Sequence, residues 1–325
     1  MRAALIAGTA MIALTGPAFA QSGPLVIYTS TPTEQMDMLV SRFNETYPDI
    51  EVEYFRSGTT EVINRLQSEF AAESPQPDLL LIADTVVMTA LKNDDRLQGY
   101  QGAPVDGLNP DLYDSDMTFF GTKLITTGFA YNTELVDTPP TAWSDLTDPE
   151  IAGRLTMPSP LYSGAAAIHV GTMTELDQFG WDYYEALAEN GAVAGRGNGG
   201  VLDAVARGEQ SYGIIIDFMP LNARADGSPI DFVFPEEGVT SVTEPVAILS
   251  TATNVEAARA FVDWQLSEEG QSFHAEQGYL PLLPDVEGPE GFPALDDLTI
   301  LSVDPARLLE ADESMKRQFA DLFGG

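Results

Sequence analysis

Two hydrophobic periods take turns along this chain. Residues 24–30 (PLVIYTS) make a short apolar run, and residues 50–55 (IEVEYF) alternate apolar with polar as a half-buried strand does. Between them, residues 33–47 place Met36, Leu39, Val40 and Phe43 at helical spacing, with Thr31 or Thr33 as the expected cap. After residue 55 the helical period returns through Val62, Ile63, Leu66 and Phe70, and the apolar run 79–82 then ends at Ala83-Asp84-Thr85. Strands alternating with helices predict an α/β fold built on an open, mainly parallel sheet. In such sheets ligands lie beyond the carboxyl ends of the strands, where Ser30, Thr31, Ser57, Thr59, Thr60 and Asp84 all fall.

The pattern repeats after a break. Residues 123–132 (KLITTGFAYN) read as a strand near which the chain leaves its first lobe. A strand at 155–157, a small-residue helix at 165–174, a helix at 201–207 and a strand at 212–216 (YGIII) that runs into Asp217 then predict a second lobe. Residues 230–234 and 242–249 read as further strands, the latter with Glu244 inside it, so the return crossing is expected between Gly238 and Glu244. Residues 254–266 form a strongly amphipathic helix, and the chain from residue 288 on reads as a loop and a helical tail packed on the first lobe. The expected layout is a first lobe from residues 21–127 and 241–325 and a second from 128–240.

Three turns suggest chemistry. Ser57-Gly58-Thr59-Thr60 joins a strand to a helix; the first amides of a helix have no partner inside it, and the helix dipole is positive there, so a small, hydroxyl-rich turn suits an anion. Tyr162-Ser163-Gly164-Ala165 and the glycine-rich stretch 195–200, with Asn198, open two more helices in the same way. Any one of them alone reads as an ordinary cap, and none matches a P-loop or dinucleotide fingerprint; their convergence is the signal. Asp217 either caps the turn after its strand or meets the far end of a ligand, and Glu244 is either a solvated edge residue or a second such carboxylate.

Composition narrows the class. A chain of 325 residues, 44% of them hydrophobic, is long enough for two cores. Residues 1–20 carry Arg2, an apolar run and small residues at Ala18 and Ala20, which predicts a cleaved secretory signal and a periplasmic product. Without them, 14 basic residues face 50 acidic ones, a balance that excludes nucleic acid as a partner. With no cysteine, disulfides and thiol catalysis drop out, and no HExxH or GxSxG motif supports hydrolysis, so no enzyme activity, metal or cofactor is expected.

The segments PLVIYTS, FRSGTTEVINRL, LLLIADT, FAYNTEL, PLYSGAAA, ARGEQSYGIII and NVEAARAFVDWQLSEEGQ followed by GYLP resemble, across nearly the whole chain, the periplasmic solute-binding proteins of ABC importers. The branch most similar holds ferric-iron, hexose-phosphate and 2-aminoethylphosphonate binders. The resemblance implies a type II two-lobed fold that closes on its ligand, a monomer, and a membrane permease and ATPase as partners. Ferric binders of the family use adjacent tyrosines just after the strand that here ends at Ile216, where this chain has Asp217-Phe218; Tyr183-Tyr184 lies within a helix, its side chains about 100° apart. An anion held by Ser30, Thr31, Ser57, Thr59, Thr60, Ser163, Gly164 and Ala165, with Tyr162 and Asn198 as further donors and Asp217 and Glu244 at the far end, fits 2-aminoethylphosphonate first and a hexose phosphate second, with ferric iron the remaining alternative within the family.

Overall fold

The computed structural model describes residues 22–293 and 297–324; the predicted signal segment lies outside them. Two sheets form the two lobes. The first contains β1 (Gly23–Thr29), β2 (Ile50–Arg56), β3 (Leu79–Leu81), β4 (Leu97–Gln98), β5 (Phe119–Phe120) and β12 (Val246–Leu249). The second contains β6 (Ile125–Asn132), β7 (Leu155–Pro158), β8 (Val193–Gly195), β9 (Tyr212–Ile216), β10 (Ile230–Val233), β11 (Val239–Val242) and β13 (Ile300–Leu301). Each sheet has a parallel heart, β2-β1-β3 in one and β8-β7-β9 in the other, against which β12 and β6 run antiparallel. These are the strands that follow the two crossings, so the chain enters each sheet from the hinge side.

Helices α1 (Thr33–Thr46), α2 (Thr59–Ala71), α3 (Thr85–Asn93), α9 (Val255–Leu266) and α10 (Glu268–Glu276) belong to the first lobe. Around the second stand α4 (Pro149–Ala152), α5 (Gly164–Glu175), α6 (Gly180–Glu189), α7 (Asn198–Ala206) and α8 (Phe218–Ala225). The periodic residues read from the sequence fill the cores. Met36, Leu39 and Phe43 of α1 meet Phe261 and Trp264 of α9, with the Phe43 and Phe261 rings 5.1 Å apart in an edge-on contact. In the second lobe Phe129, Trp143, Met157 and Tyr184 form the corresponding centre.

Three expectations change. The run 242–249 is two strands, because Glu244 takes a positive φ of 40° and turns the chain between β11 in one sheet and β12 in the other. Sheet membership puts the crossings at residues 121–124 and 243–245. The tail also moves: β13 pairs with β11 of the second sheet, and α11 (Pro305–Phe323) lies against α5, α6 and α3, with Met315 and Phe319 inside the second lobe's core. Its apolar face is legible in the sequence, whereas its partner depends on where β13 docks. Finally, α1 starts at Thr33 with Pro32 at its N-cap position and no side-chain cap, and Thr31 has another use, described below. Among the described residues no helix is long and apolar enough to cross a membrane.

Candidate binding cleft

Where the lobes meet, the carboxyl ends of both parallel hearts face each other across a cleft of about 570 Å³. Three helices begin on its walls. Gly58 caps α2 from the first lobe; Ser163 caps α5 and Gly197 caps α7 from the second. Each start leaves amides without intrahelical partners and contributes roughly half a positive charge. Asn198 ties two of the starts together: its Nδ2 donates to the Ser163 hydroxyl at 3.3 Å, and its Oδ1 accepts from the Ile216 amide at the end of β9. Ser30 is fixed from the other side by accepting the Ala83 amide at 3.1 Å.

Of the residues expected at the site, Ser30, Ser57, Thr59, Tyr162, Ser163, Gly164, Ala165, Asn198 and Glu244 line this cleft. The structure does not bring the other four to its wall. Thr60 follows in the first turn of α2 but does not line the cavity. Thr31 is buried and donates its hydroxyl to Glu244 Oε1 at 3.1 Å, which orders the turn ahead of α1. Asp84 caps α3 by accepting the Val87 amide at 2.9 Å. Burial pushes its carboxyl up to about 6. Asp217 caps α8 and is fully buried: one oxygen accepts from the Thr126 amide and hydroxyl, the other from the Phe218 amide. It joins the two strands β6 and β9 and does not face the ligand space. Burial pushes its carboxyl up to about 7 against the pull of these donors.

Glu244 lines the cleft as expected, but it is already paired. Lys123 from the first crossing forms an ion pair with its Oε2, and the Lys123 ammonium also sits 4.6 Å from the centre of the Tyr279 ring. The Thr122 and Lys123 amides both donate to the Thr243 carbonyl, so the two crossings are bonded to each other directly beneath the cleft. Tyr279, a wall residue, donates its hydroxyl to Gln35 at 2.5 Å. Burial raises its phenol well above the ordinary value, the reverse of what a phenolate ligand needs. The histidines are structural: His169 bonds Thr240 and His274 bonds Gln265, and burial keeps both neutral. Tyr183 and Tyr184 are core residues of α6.

Among the cleft residues that the reading from sequence missed are both of its arginines, Arg56 and Arg196. Arg56 ends β2 and donates to the Thr31 carbonyl at 3.3 Å. Arg196 precedes α7, lies 5.3 Å from the Tyr162 ring and pairs with Glu61 across the cleft. A signal existed. In a chain with 15 basic residues, Arg196 falls inside one of the turns picked out for their small residues and Arg56 immediately precedes another. Arg56, Arg196 and Glu61, beside a neutral Lys123–Glu244 pair and three helix starts, leave the cleft walls net positive in an acidic protein.

The fold and the interlobe cleft define a solute-binding protein. Residues 74–306 match the family described as bacterial extracellular solute-binding protein, and the chain belongs to that family. A curated relative, a probable ABC transporter periplasmic-binding protein of Sinorhizobium fredii, is 25% identical over 253 residues, covering 72% of this chain and 68% of its own. Among solved structures, the periplasmic binding protein AfuA of Actinobacillus pleuropneumoniae, with exogenous fructose-6-phosphate bound, superposes with a TM-score of 0.84 at 23% identity over 93% of this chain and 99% of that one. Iron-bound HitA of Pseudomonas aeruginosa superposes with a TM-score of 0.79 at 21% identity, over 91% and 99%. At these identities the structural likeness speaks for the fold.

Proposed function

We propose that this protein is the periplasmic solute-binding component of an ABC importer, exported by a signal at residues 1–20, and that it captures a small organic phosphate between its lobes for delivery to a permease. The observation that carries the ligand class is the pair of arginines, Arg56 and Arg196, facing a cleft on which three helix N-termini open. Guanidinium and free amide groups are the recurring phosphate partners in proteins. The relative from Sinorhizobium fredii and the fructose-6-phosphate complex of AfuA support the transporter and the ligand class respectively.

The carboxylates bear on the rest of the ligand. An ammonium group needs a free acid, yet Asp217 is buried among its own donors, Glu244 is held by Lys123 and Thr31, and Glu61 by Arg196. A hydroxylated tail needs none. A sugar phosphate therefore moves ahead of 2-aminoethylphosphonate, and a volume of about 570 Å³ suits it better than a two-carbon phosphonate. Isothermal titration of the ligand-stripped protein with glucose 6-phosphate, fructose 6-phosphate, 2-aminoethylphosphonate and ferric citrate tests the reading. Heat from a sugar phosphate, with a weaker response to the aminophosphonate, is the expected result. A coloured iron complex with silence from every phosphorus compound overturns it.

A further inference from the structure

Two donors of the cleft already hold an anion, and it is the protein's own. Glu61, in the first turn of α2, accepts hydrogen bonds from the Ser57 hydroxyl and from Arg196. Ser57 and Glu61 belong to the first lobe and Arg196 to the second, and all three line the cleft. Arg196 is thus positioned by the Tyr162 ring on its own lobe and by a carboxylate on the other.

We propose that Glu61 is an internal stand-in for the anionic group of the ligand. In the ligand-free protein it engages Arg196 and Ser57 and holds the lobes together; on binding, it yields both donors to the ligand. The second half rests on the organic-phosphate reading, while the first rests on the ion pair alone. Exchange of one monoanion for another gains little, whereas a phosphoryl dianion gains Coulomb energy from the same two donors and from Arg56. Glu61 therefore sets a threshold on ligand charge, which favours phosphate esters over simple carboxylates. The pair is largely exposed, at 71% and 38% of the side chains, so it shifts the open–closed balance by no more than roughly five-fold. A balance between two conformers is sensitive to a bias of that size.

The absence of cysteine makes the test direct. Met38→Cys on α1 and Leu135→Cys after β6 are exposed positions, one in each lobe, for a donor–acceptor dye pair. Single-molecule energy transfer on the ligand-free protein is expected to show that Glu61→Gln and Arg196→Gln each lower the closed-to-open ratio roughly two- to five-fold, and that the double variant lowers it no further. Titration with glucose 6-phosphate is expected to separate the two: Glu61→Gln binds more tightly and Arg196→Gln more weakly. An unchanged conformer ratio in both single variants overturns the proposal, and so does a Glu61→Gln protein that loses affinity as Arg196→Gln does. If the parent protein binds neither glucose 6-phosphate nor inorganic phosphate, the ligand class fails, and the conformer ratios still decide whether Glu61 holds the lobes.

Discussion

Asp217 shows how burial redirects a single residue. Its place after an apolar strand makes it a candidate counter-charge for a ligand; in the fold its carboxylate closes the joint between β6 and α8 through Thr126 and Phe218. Its carboxyl, pushed from 3.8 up to about 7, stays protonated in the folded chain over a range where the unfolded chain has released the proton. Folding therefore takes up a proton, so its contribution to stability is fully present below the unfolded value and is lost as the pH rises through about 7. Asp84, pushed up to about 6, acts in the same direction. Asp217→Asn removes the titration while keeping the shape. Denaturant melts from pH 4 to 8 are expected to show the parent losing stability relative to this variant as the pH rises, with a slope of at most about 1.4 kcal/mol for each pH unit. Parallel pH profiles would mean that the three donors keep Asp217 ionised throughout. Sugar-phosphate affinity is expected to change little, because the side chain faces away from the cleft.

Elements bring the helix starts close enough to share one ligand, and glycine permits the approach. A Cβ on Gly164, at the start of α5, would lie 2.5 Å from the Ala83 carbonyl and 3.0 Å from the Thr59 hydroxyl, both on the other lobe. Gly58 stands in the same relation to the Tyr162 carbonyl, at 2.9 Å. Glycine serves here because there is no room for a side chain between two backbones, whatever its own φ. Gly164→Ala is expected to wedge the lobes apart, weakening ligand binding about five-fold or more, as an overpacking cost of about 1–3 kcal/mol implies. Each lobe should keep its own packing, so the signature is lost compaction in small-angle scattering with ligand at an almost unchanged melting temperature. Compaction equal to that of the parent would show that the interface relaxes around the methyl group.

Across the whole molecule two devices besides the Glu61–Arg196 pair join the lobes. At the hinge, Lys123 and Glu244 are a buried ion pair between the crossings, a contact whose loss on one side would strand the other charge. On the flank, α11 lies against α3 of the first lobe and α5 of the second. Phe319 of α11 is fully buried, 6.1 Å from the Tyr184 ring and 4.7 Å from Phe323. Phe319→Ala is expected to cost about 3–5 kcal/mol in urea unfolding. A loss below about 1 kcal/mol would mean that the tail contributes little to the second lobe.

Local order is written in the chain. Most strand and helix spans, the N-terminal turns of α2, α5 and α7, and the place of Ser30, Ser57, Tyr162, Ser163 and Asn198 on the two walls of one cleft follow from periodicity and from which residues suit a helix start. Those are short-range matters, decided by neighbours a few residues away. Pairing across the molecule is not legible there: that Thr31 and Lys123 reach Glu244, that Arg196 reaches Glu61, that β13 docks on β11, and that Asp217 turns inward. A charged side chain has the same sequence signature whether it meets a ligand or a partner of its own chain. Only the closure of distant segments, 135 positions apart for Glu61 and Arg196, decides which one desolvates it and which one it holds.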